Sequence, residues 1–235
     1  MSTPGRPECE FRSAQHGGCL MSAVLDADAR YLRYPSALID RLALPDGRRV
    51  VVRPVLGDDA LATQDFVRGL SLDSRRNRFH IALKELPPAT LRQLTDVDHV
   101  GHVAIVAETL ADDKHEAAIV AEARYVREGG DTHFAIAVAD AWQGMGLGRA
   151  LMQRLLRYAA RHGVVRLVAD IADGNTAMLR LALSFGGRVA ASSPHGPGVT
   201  RVVLHLAPPA ATRQPASPSA RVPRVCLNPP SRRQR

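Results

Sequence analysis

Hydrophobic and polar residues follow two different periods along this chain, and the sharpest change of period lies within residues 131–163. Phe134, Ile136 and Val138 alternate with small residues, which is the period-two pattern of a β-strand with one bulky and one small face. Large apolar residues then recur at every fourth position, as in an amphipathic helix. These helix positions are Leu147, Leu151, Leu155 and Ala159. The stretch therefore predicts a strand, a short turn and a helix in immediate succession.

The same two periods predict further elements on both sides of this stretch. Before it, we expect a hairpin over residues 39–54 around Pro45-Asp46-Gly47, helices over 58–70, 73–80 and 89–96, and strands over 100–110 and 116–127. After it, we expect a strand over 164–171, a helix over 176–185 and strands over 188–192 and 199–206. Strands first, then alternating strands and helices, predict an α/β domain with a mixed sheet.

The periodic part of the chain is flanked by two segments of a different character. Residues 1–35 have no sustained period and predict a flexible N-terminal segment. Residues 207–235 are rich in Pro, Ala, Ser and Arg, which predicts a disordered tail. One folded domain over residues 36–206 is the expected organisation.

Charge and composition exclude several classes of function. The formal net charge is +8, but six arginines lie in residues 207–235 without an acidic residue, so the predicted domain is nearly neutral. No apolar run reaches the ~18 residues of a membrane span, and the first twenty residues lack the apolar centre of a signal peptide, so we expect a cytoplasmic protein. The three cysteines (Cys9, Cys19 and Cys226) have no metal-ligand spacing, and no metal is expected.

Glycines are concentrated between the predicted strand and helix, in Gln143 to Gly148. Glycine lets a backbone approach a ligand closely, and the free N–H groups of a starting helix favour phosphate oxygens. The dinucleotide pattern G-x-G-x-x-G/A fails here, because Arg149 or Leu151 would stand where a small residue is needed, and the Walker pattern is absent. The spacing Q-x-x-G-x-G does fit. The alternative is a glycine-rich turn without a ligand.

This loop, in this position, resembles the pyrophosphate-binding loop of the GNAT superfamily of acyl-CoA-dependent N-acyltransferases. The order of predicted elements over residues 40–206 is also similar to theirs. Several local stretches narrow the resemblance to the acetyltransferase domain of bacterial Pat-type protein lysine acetyltransferases: Arg53-Pro54, Asp58-Asp59, Leu70-Ser71, Ser74-Arg75, Arg78-Phe79, Leu94-Thr95 with Asp98, and Asn175 with Met178. Enzymes of that type often carry a large acyl-CoA-synthetase-like domain, for which this chain has no room.

The resemblance implies a fold and a set of site residues. The fold would be a mixed, mostly antiparallel sheet flanked by helices, and the co-substrate would be acetyl-CoA. Contacts to acetyl-CoA are implied for Ile136, Ala137, Val138, Gln143, Gly144, Met145, Gly146, Leu147, Gly148, Arg149 and Asn175. For Asn175, the sequence Asp-Gly-Asn is equally that of a turn and a helix cap.

Two positions depart from the pattern of the related enzymes. They commonly have Glu one residue before the Phe of the central strand, where this chain has His133, and many have Tyr in the last helix, where this chain has Ala182. Because an amine attacks only in its neutral form, we consider His133 and Glu122 as the general base. Alternatively, His133 faces solvent at a strand end, and Glu122 pairs with Arg124 or another Arg.

Three classes of function follow from these observations. The first is an acetyl-CoA-dependent N-acetyltransferase that acts on a primary amine, either a protein lysine or a small molecule. The second is a non-catalytic acyl-CoA-binding regulatory module that has lost its acid and base groups. The third, a nucleic-acid-binding protein, is the least favoured, because no aromatic residue is interleaved with the arginines of the tail.

Overall fold

The computed structural model describes residues 34–80, 83–111, 116–191 and 197–207. The predicted N-terminal segment and tail, apart from Tyr34, Pro35 and Ala207, lie outside the described residues, as do all three cysteines. The domain described below is therefore the part of the chain in which the periodic patterns lie.

In the described residues, eight strands form one sheet. They are β1 (Asp40–Ala43), β2 (Arg49–Pro54), β3 (His102–Thr109), β4 (Ile119–Glu128), β5 (Asp131–Val138), β6 (Arg166–Ala172), β7 (Arg188–Val189) and β8 (Val199–His205). Their order across the sheet is β1-β2-β3-β4-β5-β6-β8-β7. All neighbouring strands are antiparallel except β5 and β6, which are parallel.

Five helices of the described part of the chain flank the sheet. They are α1 (Ala60–Gly69), α2 (Leu72–Phe79), α3 (Pro88–Thr95), α4 (Leu147–Arg161) and α5 (Thr176–Ser184), with short 3-10 turns at Ser36–Leu38, Gly57–Asp59 and Asp140–Trp142. Each predicted helix and strand is present with its ends shifted by no more than three residues. The largest shifts, of three residues, are at the start of the strand predicted over 116–127, which begins at Ile119, and at the end of the strand predicted over 188–192, which ends at Val189.

The hydrophobic core has two parts, one on each face of the sheet. The α4 and α5 helices pack on one face, and the four predicted core positions of α4, from Leu147 to Ala159, are all fully buried. On the other face, Phe66 and Val67 of α1 pack with Leu94 of α3 against β3, β4 and β5. Because β3 and β4 are covered on both faces, residues 103–107 of β3 and 119–125 of β4 are all buried, including the charged Glu122 and Arg124. The fold is the predicted mixed, mostly antiparallel sheet flanked by helices.

The pairing of β5 with β6 is much shorter than that of the other central strands. His133 and Val168 are the only registered pair between them, whereas β4 and β5 stay in register from Ala121 to Glu128 on β4. Beyond His133 the two parallel strands separate, so that the edge of β5 towards β6 is open from about Phe134 to Val138. A gap therefore opens between β5 and β6 beyond this pair, near the centre of the sheet.

No helix in the described part of the chain is long and apolar enough to cross a membrane. The described residues also contain no group of three or more His, Cys, Asp or Glu side chains that could hold a metal ion.

Candidate active site

The glycine-rich loop turns sharply between the end of β5 and the start of α4. Gly144 and Gly146 have φ of 75° and 82°, a left-handed conformation that glycine adopts without strain. The carbonyl of Gly146 accepts from the N–H of Ala150 at 2.9 Å, which starts the helix. Because the first N–H groups of a helix have no partner within it, this turn presents several donors and the positive end of the helix dipole.

Side chains from β5, the loop and α2 hold this turn in place. The Gln143 Nε2 donates to the carbonyl of Val138 at 3.0 Å and to Ser74 Oγ at 3.2 Å. Asp140 accepts from the hydroxyls of Ser71 and Ser74 at 2.7 and 2.9 Å, and from the Ser71 N–H at 2.8 Å. Gln143 thus joins the loop to α2 and to the end of β5.

A cavity of about 400 Å³ lies over this loop, and we call it the loop cavity. Ten of the eleven residues predicted to contact CoA line it: Ile136, Ala137, Val138, Gln143, Gly144, Gly146, Leu147, Gly148, Arg149 and Asn175. Met145 is the exception, because it packs against the core and its thioether contacts Arg48. The α2 helix adds Ser74, Asn77 and Arg78 to the lining.

A second cavity, of about 460 Å³, occupies the gap between β5 and β6, and we call it the gap cavity. It is lined by Asn77, Arg78, His80, His133, Phe134, Ala135, Ile136, Ala169, Asp170, Ile171, Asn175, Met178 and Val199. Five residues line both cavities: Asn77, Arg78, Ile136, Asn175 and Met178. The two cavities are therefore adjoining parts of one cleft along the open edge of β5.

Comparison with known proteins identifies this architecture. Residues 73–186 match the model of the acetyltransferase (GNAT) family. The chain is 35% identical over 146 residues to acetyltransferase PA5475 of Pseudomonas aeruginosa, covering 61% of this chain and 77% of that protein. The chain belongs to the acetyltransferase (GNAT) family.

Solved structures agree with this assignment. The GNAT domain of S. lividans PAT superposes with a TM-score of 0.66 at 27% identity, over 74% of this chain and 99% of that domain. The structure of yncA from Salmonella typhimurium, solved with its cofactor acetyl-CoA, has a TM-score of 0.50 at 21% identity, over 73% and 98% of the two chains. At that identity the likeness concerns the fold alone. The predicted fold, the Pat-type resemblance and the enzyme class are confirmed.

Asn175 serves as a helix cap in this GNAT domain and also borders the cleft. Its Oδ1 accepts from the N–H of Met178 at 3.1 Å at the start of α5. The cap interpretation of Asp-Gly-Asn is therefore correct. Since Asn175 also lines both cavities, the cap fixes its amide beside the cleft.

The Arg149 and Gly148 positions show how α4 meets the loop cavity. Arg149 Nη1 donates to Ser184 Oγ at 2.9 Å, and its guanidinium lies 5.0 Å from the centre of the Phe185 ring. A Cβ at Gly148 would lie 3.5 Å from Val138 Cγ2 and 3.8 Å from Leu181 Cδ2, which is ordinary contact. An alanine therefore fits at position 148, whereas a larger side chain would extend into the loop cavity.

His133 lies at the gap cavity beside an acidic side chain of β6. Its side chain is 38% exposed, and its Nδ1 is 4.0 Å from Asp170 Oδ2. Arg201 donates to both carboxylate oxygens of Asp170 at 2.7 Å and so fixes that carboxylate. His133 is consequently a partly exposed imidazole at the cleft, with Asp170 behind it.

Glu122 lies in a buried ion pair and lines neither cavity. Its side chain is 4% exposed, with Oε1 2.7 Å from Arg78 Nη2 and Oε2 2.5 Å from Arg124 Nη2. Burial would raise the pKa of Glu122, but the charges of Arg124 and Arg78 and their hydrogen bonds outweigh it and lower this pKa to about 2. Glu122 therefore pairs with arginine, as the alternative interpretation held. A carboxyl group with so low a pKa is a weak base.

The buried cluster continues to His102. The Nη1 of Arg124 lies 3.0 Å from His102 Nε2 and also donates to the carbonyl of Leu94 at 3.1 Å. Burial, together with the charge of Arg124, lowers the pKa of His102 to about 4. His102 is therefore neutral at pH 7 and accepts from Arg124 through Nε2.

The position where many GNAT enzymes have an acidic tyrosine is filled here by a buried alanine. Ala182 has no exposed surface, and a Cβ on the neighbouring Gly187 would lie 2.7 Å from the Ala182 carbonyl oxygen and 2.7 Å from Val202 Cγ1. No tyrosine of the described residues lines either cavity. A phenol is thus absent from the lining of the cleft.

Sequence reasoning did not find the contributions of α2 and β6 to the cleft. Ser74, Asn77 and Arg78 reach it because α2 packs on β5, and Asp170 reaches it because β6 runs parallel to β5. The sequence did contain a signal for Asp170, because it is the one acidic residue in the largely apolar run of residues 164–171.

Proposed function

We propose that this protein transfers the acetyl group of acetyl-CoA to a primary amine, of a protein lysine or a small molecule, by direct attack in a ternary complex. The observation that supports this most strongly is the division of the cleft into two adjoining cavities at the open edge of β5. The loop cavity has a helix start and glycine N–H groups suited to a pyrophosphate. The gap cavity leaves space for the amine further along the same open edge of β5.

The residues present fit acetyl-CoA chemically. Gln143 to Arg149 would hold the pyrophosphate with backbone N–H groups. Ile136, Ala137 and Val138 would pair their open backbone edge with the pantetheine arm, as a missing strand would. When bound, acetyl-CoA supplies a thioester carbonyl that an amine can attack. A backbone N–H of β5 would stabilise the negative charge on the oxygen of that carbonyl.

In this proposal His133 is the general base. A lysine amine has a reference pKa of ~10.4 and must lose a proton before or during attack. His133 is at the gap cavity, is partly exposed and has Asp170 beside it, so it can take the proton and pass it to solvent. Glu122 is assigned a supporting role, because its two oxygens are already engaged by Arg78 and Arg124.

Two variants of one glycine test the CoA site. Gly148→Asp would place a carboxylate where phosphate oxygens are expected, and we expect calorimetry to show CoA affinity reduced by more than ~tenfold. Gly148→Ala is the matched control, because a methyl group fits beside Val138 and Leu181. Equal affinity of both variants and the wild type would contradict the proposed CoA site.

The second candidate is a non-catalytic acyl-CoA-binding module. It is favoured by His133 in place of Glu and by the buried Ala182 in place of Tyr. Release of CoA from acetyl-CoA, measured against a panel of amines and proteins, separates the two. Tight binding of acetyl-CoA without transfer to any acceptor would favour the module.

A further inference from the structure

Arg78 is placed where the two cavities meet. It lines both of them, with a side chain that is only 10% exposed. If acetyl-CoA occupies the loop cavity and the amine occupies the gap cavity, the bond between acyl carbon and sulfur must lie near this junction. The exposed part of Arg78 therefore faces the region in which that bond is broken.

The guanidinium of Arg78 is held in position by contacts with Glu122 and Phe79. Its Nε and Nη2 lie 2.8 and 2.7 Å from the same Oε1 of Glu122. Its central carbon is 4.8 Å from the centre of the Phe79 ring. A charged group that is oriented before the reaction needs little reorganisation to stabilise a charge that develops during it.

The cluster behind Arg78 leaves its charge only partly compensated. Arg78 and Arg124 share the single carboxylate of Glu122, one on each oxygen. His102, the other titratable member of the cluster, is neutral at pH 7 because its pKa is lowered to about 4 by burial and by Arg124. Two positive charges and one negative charge give the group of Arg78, Arg124, Glu122 and His102 a net charge of +1, and Arg78 is its member at the cleft. A further carboxylate, Asp98, accepts from the N–H of His102 at 2.8 Å but is exposed to solvent.

We propose that Arg78 is a catalytic residue that stabilises the negative charge on the departing sulfur, at a cleft that no tyrosine of the described residues lines. This inference rests on the proposed function and assigns a task that neither the glycine loop nor His133 performs. Arginine remains charged throughout and would act by its electrostatic field and its N–H groups, without giving up a proton.

The step balances without a proton donor for the sulfur. The amine nitrogen bonds to the acyl carbon, and the amine proton passes to His133. As the carbon–sulfur bond breaks, its electron pair stays on sulfur, which leaves as a thiolate opposite Arg78. The products are the amide, the thiolate of CoA and a proton that His133 releases to solvent.

The test measures the ionisation of bound CoA and requires no turnover. The thiolate absorbs ultraviolet light where the thiol does not, so a pH titration of the CoA complex gives the thiol pKa in the site. In the wild type we expect this pKa to be at least one unit below that of free CoA, a tenfold change in the ionisation constant. Arg78→Gln should raise it by about the same amount and lower kcat by roughly 10².

Two further variants separate charge from structure. Arg78→Lys keeps a positive charge and should retain part of the lowered thiol pKa. Arg76→Gln removes an exposed arginine of the same helix that lines neither cavity, and should leave the thiol pKa unchanged. Because Glu122 keeps its contact with Arg124 when Arg78 is replaced, we expect each variant to stay folded, and the thermal midpoint checks this.

Several outcomes would overturn the inference. A thiol pKa in the wild-type complex equal to that of free CoA would do so, as would equal values in wild type and Arg78→Gln. Loss of CoA affinity in Arg78→Gln at a pH where the thiol is fully protonated would make Arg78 an anchor for the bound substrate instead. If the wild type does not bind CoA at all, the proposed function fails first, so the two failures are distinguishable.

Discussion

The loop cavity and the gap cavity are neighbours on one strand, yet they are built in different ways. The loop cavity takes most of its lining from a single continuous stretch, residues 136–149, and offers largely backbone groups. The gap cavity takes its polar side chains from α2, β5, β6 and the start of α5, which are far apart in the sequence.

The two kinds of lining suit two different tasks, binding a pyrophosphate and selecting an amine. A pyrophosphate can be held by N–H groups that every residue has, so its site depends on spacing and on glycine conformation. Choosing an amine and moving its proton requires specific side chains at specific distances. We therefore expect substitutions in the two cavities to affect different quantities, with the loop cavity governing CoA affinity and the gap cavity governing turnover.

The largest effect should come from the gap cavity. We expect His133→Ala to lower kcat by roughly 10² to 10⁴, as for the loss of a general base, while the affinity for acetyl-CoA changes little. Steady-state kinetics together with calorimetry checks both quantities. His205→Ala, at an exposed position of β8, is the matched control. A His133→Ala variant with full activity would move the base to water or to another group.

Stability at mildly acidic pH tests the buried cluster that supports the gap cavity. The folded pKa of His102, about 4, lies below its unfolded value of ~6.5, so the unfolded chain binds more protons between these values. The contribution of the lowered His102 pKa to the free energy of unfolding is therefore fully present above pH ~6.5 and is lost as the pH falls towards 4. Allowing for solvent screening, we expect the free energy of unfolding to fall by about 1 to 2 kcal/mol between pH 7 and pH 5.

Denaturant titrations at several pH values measure this loss. His102→Gln keeps an acceptor for Arg124 but does not titrate, so it should flatten the slope between pH 6.5 and 4. His205→Gln should retain the wild-type slope. Glu122, with a pKa lowered to about 2, adds a separate loss of stability only below its unfolded value of ~4.5. An unchanged slope in His102→Gln would exclude His102 as the source.

We expect a moderate effect when Gln143, which joins the glycine-rich loop to α2, is replaced. Gln143→Ala removes the hydrogen bonds to Val138 and Ser74, and we expect it to weaken CoA binding by about tenfold, with a smaller effect on kcat. Gln153→Ala, at an exposed position of α4, controls for the loss of a glutamine side chain. If CoA affinity instead stays the same and turnover collapses, the assignment of separate tasks to the two cavities is wrong.

The smallest effect should come from the C-terminal segment. Residues 207–235 contain too few large apolar residues to offset the entropy of ordering them, so deleting them should change CoA affinity and the thermal midpoint very little. A fall of several degrees in the midpoint would show that the segment packs on the domain. Any effect on DNA or RNA binding should depend strongly on salt and be separable from acetyl transfer.

The same difference between the loop cavity and the gap cavity explains how much of the fold and of the site could be predicted from the sequence. The elements and the loop were predictable because periodicity and glycine spacing are local, and the positions from Ile136 to Arg149 needed no knowledge of distant contacts. Met145 was predicted with its neighbours, but its side chain turns to Arg48 and the core. Spacing along a turn says which residues are near a ligand, and it does not say which way each side chain points.

The base was harder to predict, because its assignment depends on partners that the sequence does not place. Glu122 and His133 were equally plausible as residues on neighbouring strands. Arg78, 44 positions away, reaches Glu122 only because α2 packs on β5. Likewise, Asp170 lies beside His133 only because the two strands are parallel and diverge after one registered pair. Such non-local pairings decide which partners each candidate base has.

The buried Ala182 has a consequence for how this protein can change over time. Its carbonyl and Val202 leave no room for even a methyl group on Gly187, and Ala182 itself is fully enclosed. A mutation that introduced tyrosine at position 182 would therefore meet a filled core and cost stability. Compensating changes in β8 and at the end of α5 would have to come first. Packing around Ala182 thus closes this one position to a phenol acid by a single substitution.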